Sequence, residues 1–199
     1  MRYLLAFLLA LALPAMSAAQ TGWPALYDVA GVASDDVLNV RAGPGAGFDK
    51  LGSLPHDAEG IEVVDVDDGV RWGRINLDER SGWVSLAYLR RLPGQGDRAF
   101  PAVARCYGTE PFWDLERDGD SVTFRLLVDV IAGPVAVQQT RSTGRLDRFG
   151  FAGTGIAATI ARSACNDGMS DRQYGLSIEV LLRSGGDWTQ YSGCCSLQR

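Results

Sequence analysis

The sequence predicts an all-β chain, a small N-terminal barrel followed by a second, disulfide-braced β-sandwich or barrel domain. Three observations carry this reading. Apolar and polar residues alternate with period two over runs too short for helices. Clusters of Gly, Pro, Asp and Asn punctuate those runs. All four cysteines, Cys106, Cys165, Cys194 and Cys195, fall in the second half of the 199 residues.

Residues 1–19 read differently. Arg2 precedes an apolar run from Leu4 to Leu13, a Pro14 break and the small residues Ser17-Ala18-Ala19, the order of a secretory signal peptide. The run is short for a membrane span, which needs ~20 residues, so an uncleaved anchor is the weaker alternative. No cysteine precedes Cys106, and a lipidated start at the processing site is not expected. The mature chain is expected to be periplasmic or secreted, with no stable membrane span.

Charge narrows the partners. The chain has 24 acids against 19 bases, and Arg2 leaves with the signal. Residues 20–92 are the more acidic part and show no basic stripe. Nucleic acid is excluded on that ground, because phosphate binding needs clustered Lys and Arg.

The first domain is placed at residues 20–92. Its strands are read as Val37–Arg41, Leu51–Leu54, Ile61–Val66, Val70–Leu77, Gly82–Val84 and Tyr88–Leu92, with Asp67-Asp68-Gly69 as a hairpin turn in which Gly supplies positive φ. Which face of 70–77 is buried stays open, since Val70, Trp72 and Arg74 alternate with Arg71, Gly73 and Ile75. Leu38-Asn39-Val40-Arg41 alternates as a half-buried strand and breaks at Gly43-Pro44-Gly45, and Gly82-Trp83-Val84 follows some forty residues later. These paired motifs resemble the bacterial SH3-like (SH3b) domain over nearly the whole segment.

The resemblance implies a recognition groove, with peptidoglycan peptides or an envelope protein as partner. Tyr27, Arg41, Phe48, Trp72, Trp83 and Tyr88 are the candidate lining: aromatics give contact area at little entropic cost, and Arg meets a carboxylate in bidentate fashion. Barrel core is the competing role for Trp72 and Trp83. Ala25-Leu26-Tyr27-Asp28 looks like the opening of a eukaryotic proline-peptide-binding SH3 domain but lacks the following aromatic, so polyproline binding is not carried over.

Pro93-Gly94-Gln95-Gly96-Asp97 opens a linker, placed at 93–104, and the second domain is placed at 105–199. There Val122, Phe124, Leu126 and Val128 share one strand face, as do Tyr174, Leu176, Ile178, Val180 and Leu182. Phe112–Glu116, Arg145–Phe151 and Ile156–Ala161 are further strands. Three segments stand out: Cys106-Tyr107-Gly108-Thr109-Glu110-Pro111-Phe112-Trp113, Cys165-Asn166-Asp167-Gly168-Met169-Ser170-Asp171 and Tyr191-Ser192-Gly193-Cys194-Cys195. Together they resemble an uncharacterised family of exported bacterial domains, a likeness that implies no activity.

An even cysteine count in an exported chain points to disulfides. Adjacent strand residues face opposite ways, so Cys194 and Cys195 are not expected to bond each other; Cys106 and Cys165 each take one of them. No Cys-x-x-Cys spacing suggests zinc, and no motif asks for a cofactor. Nucleophilic catalysis needs a base beside Ser or Cys, and the single histidine, His56, is read as a surface turn residue. The acid sets Glu110 with Asp114 or Glu116, and Asp167 with Asp171, are read as solvated turn carboxylates.

The expected protein is thus a non-enzymatic binding or accessory protein. Its rivals are a wall-glycan hydrolase using those carboxylates and a small-molecule carrier with Trp113, Phe112 and Met169 around a pocket. Cleavage is expected after Ala19, where Ser17 and Ala19 supply the small side chains that signal peptidase requires; intact mass of the exported protein checks this, and retention of residues 1–19 refutes it.

Overall fold

The computed structural model describes residues 22–198, so the expected signal segment lies outside the described residues. The first region opens with β1 (Ala25–Val29), β2 (Val37–Arg41), β3 (Lys50–Pro55), β4 (Ile61–Val63) and β5 (Asp65–Val66). It continues with β6 (Trp72–Leu77), β7 (Arg80–Ser85), a 3₁₀ turn (Leu86–Tyr88) and β8 (Leu89–Arg91). These strands form a three-stranded sheet, β4-β1-β8, and a five-stranded sheet, β3-β2-β7-β6-β5. Ala25, Tyr27, Val29, Leu38, Val40, Val63, Ile75 and Val84 fill the space between them.

The stretch read as one strand over 61–66 is split, because β4 and β5 belong to different sheets. On β6 the inward residues are Gly73 and Ile75, leaving Trp72 and Arg74 on the outer face. The hairpin before it differs from expectation. Positive φ falls on Val70, at 50°, and not on Gly69. The Asp67 carboxylate holds that turn by accepting from the backbone N–H groups of Gly69, Arg71 and Trp72, a local bond pattern for which Asp is suited.

The second region is a closed antiparallel barrel of eight strands in the order β10-β11-β12-β13-β14-β15-β16-β9. They are β9 (Val103–Thr109), β10 (Phe112–Asp118), β11 (Ser121–Leu126), β12 (Asp129–Arg141), β13 (Arg148–Gly153), β14 (Ile156–Cys165), β15 (Tyr174–Ser184) and β16 (Asp187–Leu197). Alternation along the strands sends Leu115, Phe124, Ile160, Leu176, Ile178 and Val180 inward, each 0 or 1% exposed, so the interior is filled by side chains. Tyr174 through Leu182 form the expected buried face. Val128 does not join Val122 and Phe124: β11 ends at Leu126, Leu127 turns at φ 57°, and Val128 is 88% exposed.

Cys106 and Cys195 face each other in the β9–β16 ladder and are bonded within the core. Cys194, one residue earlier, points outward and is bonded to Cys165, pinning the 166–173 loop against the barrel. Trp113 stacks on Phe124 at 5.4 Å and lies against Gly108 and Gly193, where an added Cβ would collide with its ring.

The two regions are joined through β1. Ala25, Tyr27 and Val29 serve the first core while Leu26, on the opposite face, joins the barrel core. The stretch after β8 read as a linker is docked: the Gln95 amide receives the Leu26 N–H at 2.7 Å and donates to the Leu26 and Leu92 carbonyls at 2.9 Å. Asn76 exchanges two hydrogen bonds with the Gln173 backbone, at 2.8 and 3.0 Å. Glu62 accepts the Leu197 N–H at 3.1 Å.

Two expected outcomes follow from this packing. Replacing both Cys106 and Cys195 by Ala opens a closure spanning 89 residues and lowers barrel stability by up to about 4 to 5 kcal/mol on the chain-entropy account, measurable by urea unfolding; an unchanged midpoint refutes it. Burial pushes the Glu62 carboxyl up to about 8, against the opposing effects of the Leu197 N–H and the Arg172 charge. The unfolded chain therefore ionises first as pH rises from about 4.5 to about 8, and stability falls across that window before levelling off. Glu62→Gln flattens this part of the pH profile, and a slope equal to that of the parent protein refutes the assignment.

Candidate functional site

The outer face of the five-stranded sheet carries a cleft of about 500 Å³ beneath the loop following β1. Strand alternation supplies its floor: Val40 and Ile75 go to the core, so Asn39, Arg41 and Trp72 face outward. Val32 and Asp36 come from the 31–36 loop, whose entry uses Gly31 at φ 79°. Tyr88 closes one wall from the 3₁₀ turn and is 45% exposed. The cleft thus joins two aromatic surfaces, a cation and an anion.

Of the six residues singled out from sequence, Arg41, Trp72 and Tyr88 meet here and three do not. Tyr27 is a correction: β1 parity turns it into the core, where its ring stacks on Trp23 at 5.9 Å and burial raises its phenol pKa against the favourable Arg91 charge. Trp83 lies outside the lining, with the Arg74 guanidinium 4.6 Å above its ring. Phe48 shapes the neighbouring loop. Its ring covers Gly43 and Gly45, where a Cβ would approach to 2.5 and 3.3 Å, and its carbonyl accepts from Arg41 Nη1 at 2.8 Å.

Val32, Asp36 and Asn39 are the lining residues that sequence reasoning missed. The outward parity of Asn39 beside Arg41 was the available signal; nothing local marks the 31–36 loop as a wall.

Three barrel carboxylates, Asp114, Glu116 and Asp167, are engaged structurally. Arg125 binds both Asp114, at 3.1 Å, and Glu116, at 3.0 Å, and Arg105 adds a contact of 3.5 Å to Asp114. Burial pushes the Asp167 carboxyl up, but donors from Ser170 N, Met169 N, Ser170 Oγ and Tyr174 OH outweigh it and hold the pKa below the ordinary value. Among the described residues there is no free cysteine and no group of three or more His, Cys, Asp or Glu side chains arranged for a metal. The residues proposed around a carrier pocket, Trp113, Phe112 and Met169, do border one cleft, but it is open and lies outside the filled barrel interior, with Trp113 packed mainly into the core.

One further arrangement lies on the barrel. Arg98, Arg141, Arg145 and Arg148 border a single cleft; the last three lie within residues 141–148 of the sequence, and the fold adds Arg98 to them. Asp147, bound by Arg145 and Arg148 at 2.7 Å each, offsets part of that charge.

Residues 36–90, from the start of β2 to the middle of β8, match the family model described as bacterial SH3 domain. The N-terminal region carries a bacterial SH3-type domain. The match stops short of β1, the strand shared with the barrel, and covers the sheet that bears the cleft. No curated protein and no solved structure matches this chain. No helix among the described residues is long and apolar enough to cross a membrane.

Proposed function

We propose that this chain is an exported, non-enzymatic accessory protein whose SH3-type module binds peptide or cell-wall fragments in the cleft of Arg41, Trp72 and Tyr88. The observation that carries the reading is the convergence of these three side chains on one open surface of a domain type that suggests ligand binding. Trp72 and Tyr88 offer flat contact area with few rotatable bonds to immobilise. The guanidinium N–H groups of Arg41 left over from the Phe48 contact meet a peptide carboxylate, and Asp36, across the cleft, suits an amine. A short wall peptide with free carboxyl and amino groups has this chemistry.

The test is titration of soluble wall peptides, with pull-down on purified peptidoglycan, using the full mature chain. Trp72→Ala and Tyr88→Ala are each expected to weaken binding by about tenfold or more, the usual loss for an aromatic anchor, with the fold retained. Tyr27→Ala instead lowers stability, since it empties a core position. Undiminished affinity in both cleft variants overturns the proposal.

A further inference from the structure

The flank of the barrel facing away from its core exposes a group of large apolar side chains. Phe112, Leu127 and Met169 are 51, 64 and 67% exposed and border one cleft of about 370 Å³. Val128 at 88% and Val130 at 55% extend the surface along the β11–β12 turn. Apolar patches of this kind on a folded surface mark interaction sites.

The patch is held rigidly. The Leu127 N–H donates to the Phe112 carbonyl at 2.8 Å, and Leu127 sits at φ 57°, a conformation that costs a residue other than glycine. Met169 rides on the loop fixed by the Cys165–Cys194 bond, by the bonds to Asp167 and by the Asp171 N–H, which donates to the Glu79 carbonyl at 3.0 Å. A surface ordered before binding loses little entropy on binding.

Its surrounding charge selects the occupant. Glu79 lines the cleft, Glu110 precedes Phe112 by two positions, and Asp129 sits between Val128 and Val130. None of these three carboxylates is in an ion pair among the described residues, whereas Arg105 and Arg125 on the neighbouring strands are both committed to Asp114. An anionic membrane surface would be repelled, and a second acidic copy of this chain gains nothing in charge. We propose that this surface docks an extended segment of a partner protein that presents apolar side chains flanked by lysine or arginine. It is separate from the SH3-type cleft and does not depend on what binds there.

The experiment uses the full mature chain and three fluorescent hexapeptide pools, each with a central Leu-Phe pair and flanks of Lys/Arg, Ser or Glu, read by anisotropy at low and high salt. The basic pool is expected to bind about tenfold more tightly than the serine pool at low salt, as charge complementarity predicts, and the acidic pool more weakly than either. Phe112→Ser and Met169→Ser, both at exposed positions, abolish the difference; the pair Glu79→Gln and Glu110→Gln brings the basic pool down to the serine pool. Near-ultraviolet circular dichroism confirms that each variant keeps its packed aromatics. Tyr88→Ala, which weakens wall-peptide binding in the SH3-type cleft, leaves the contrast between the three hexapeptide pools in place. The proposal is overturned if the pools bind alike or none binds, if the Phe112 and Met169 variants bind normally, or if Tyr88→Ala removes the binding, which would place these peptides in the SH3-type cleft. It is equally overturned if the same two variants abolish self-association or attachment to phosphatidylglycerol vesicles.

Discussion

The architecture depends on the double burial of β1. A strand offers alternate residues to opposite faces, and here both faces are covered: Ala25, Tyr27 and Val29 complete the core of the SH3-type region while Leu26 enters the barrel core. The other residue on the Leu26 face, Asp28, is only 4% exposed and is held by the Gly60 N–H and Arg90, which limits the cost of burying a charge. Beyond the three residues that pair with β8, the Gln95 amide takes over at Leu26 and satisfies its N–H. Through this strand the two regions share a wall, and contacts at Asn76 with Gln173 and at Glu62 with Leu197 extend that wall.

The cysteines obey the same alternation. Cys195 points into the barrel and bonds Cys106 there, while its neighbour Cys194 points out and bonds Cys165. One bridge closes the barrel between β9 and β16; the other straps a loop to its outside. The conspicuous sequence segments acquire structural roles from this arrangement. Gly108 and Gly193 leave room for the Trp113 ring, Thr109 donates to the Asp167 carbonyl at 3.0 Å, and the Asp167 carboxylate gathers the donors that shape the loop.

Because the barrel interior is filled by side chains, the clefts described above lie on the surface. The two open clefts differ in chemistry: the SH3-type one mixes Trp72 and Tyr88 with Arg41 and Asp36, while the other sets Phe112 and Met169 beside Glu79. Rigid scaffolds with functional loops commonly divide work in this way. Here the scaffold is continuous through β1, so the positions of both surfaces follow from one packed unit.

The sequence by itself determined the all-β class, the SH3-type motifs, the buried face from Tyr174 to Leu182 and the separation of Cys194 from Cys195, because each rests on local alternation or turn chemistry. It assigned no residue range to β1, β9, β12 or β16. β1 is buried on both faces and is too short to show a period-two contrast, while much of β12 and the first half of β16 are exposed and lack an apolar stripe. The candidate cleft was half legible: Arg41, Trp72 and Tyr88 share it, whereas Tyr27 is core, since an aromatic on a strand gives the same sequence signal whether its partner is a ligand or a core. Barrel closure, the docking of Gln95 and the clustering of Phe112, Leu127 and Met169 join residues far apart in the chain. Only the tertiary structure decided them, because pairing between distant strands is fixed by which faces can be buried together and leaves no periodic mark on any single segment.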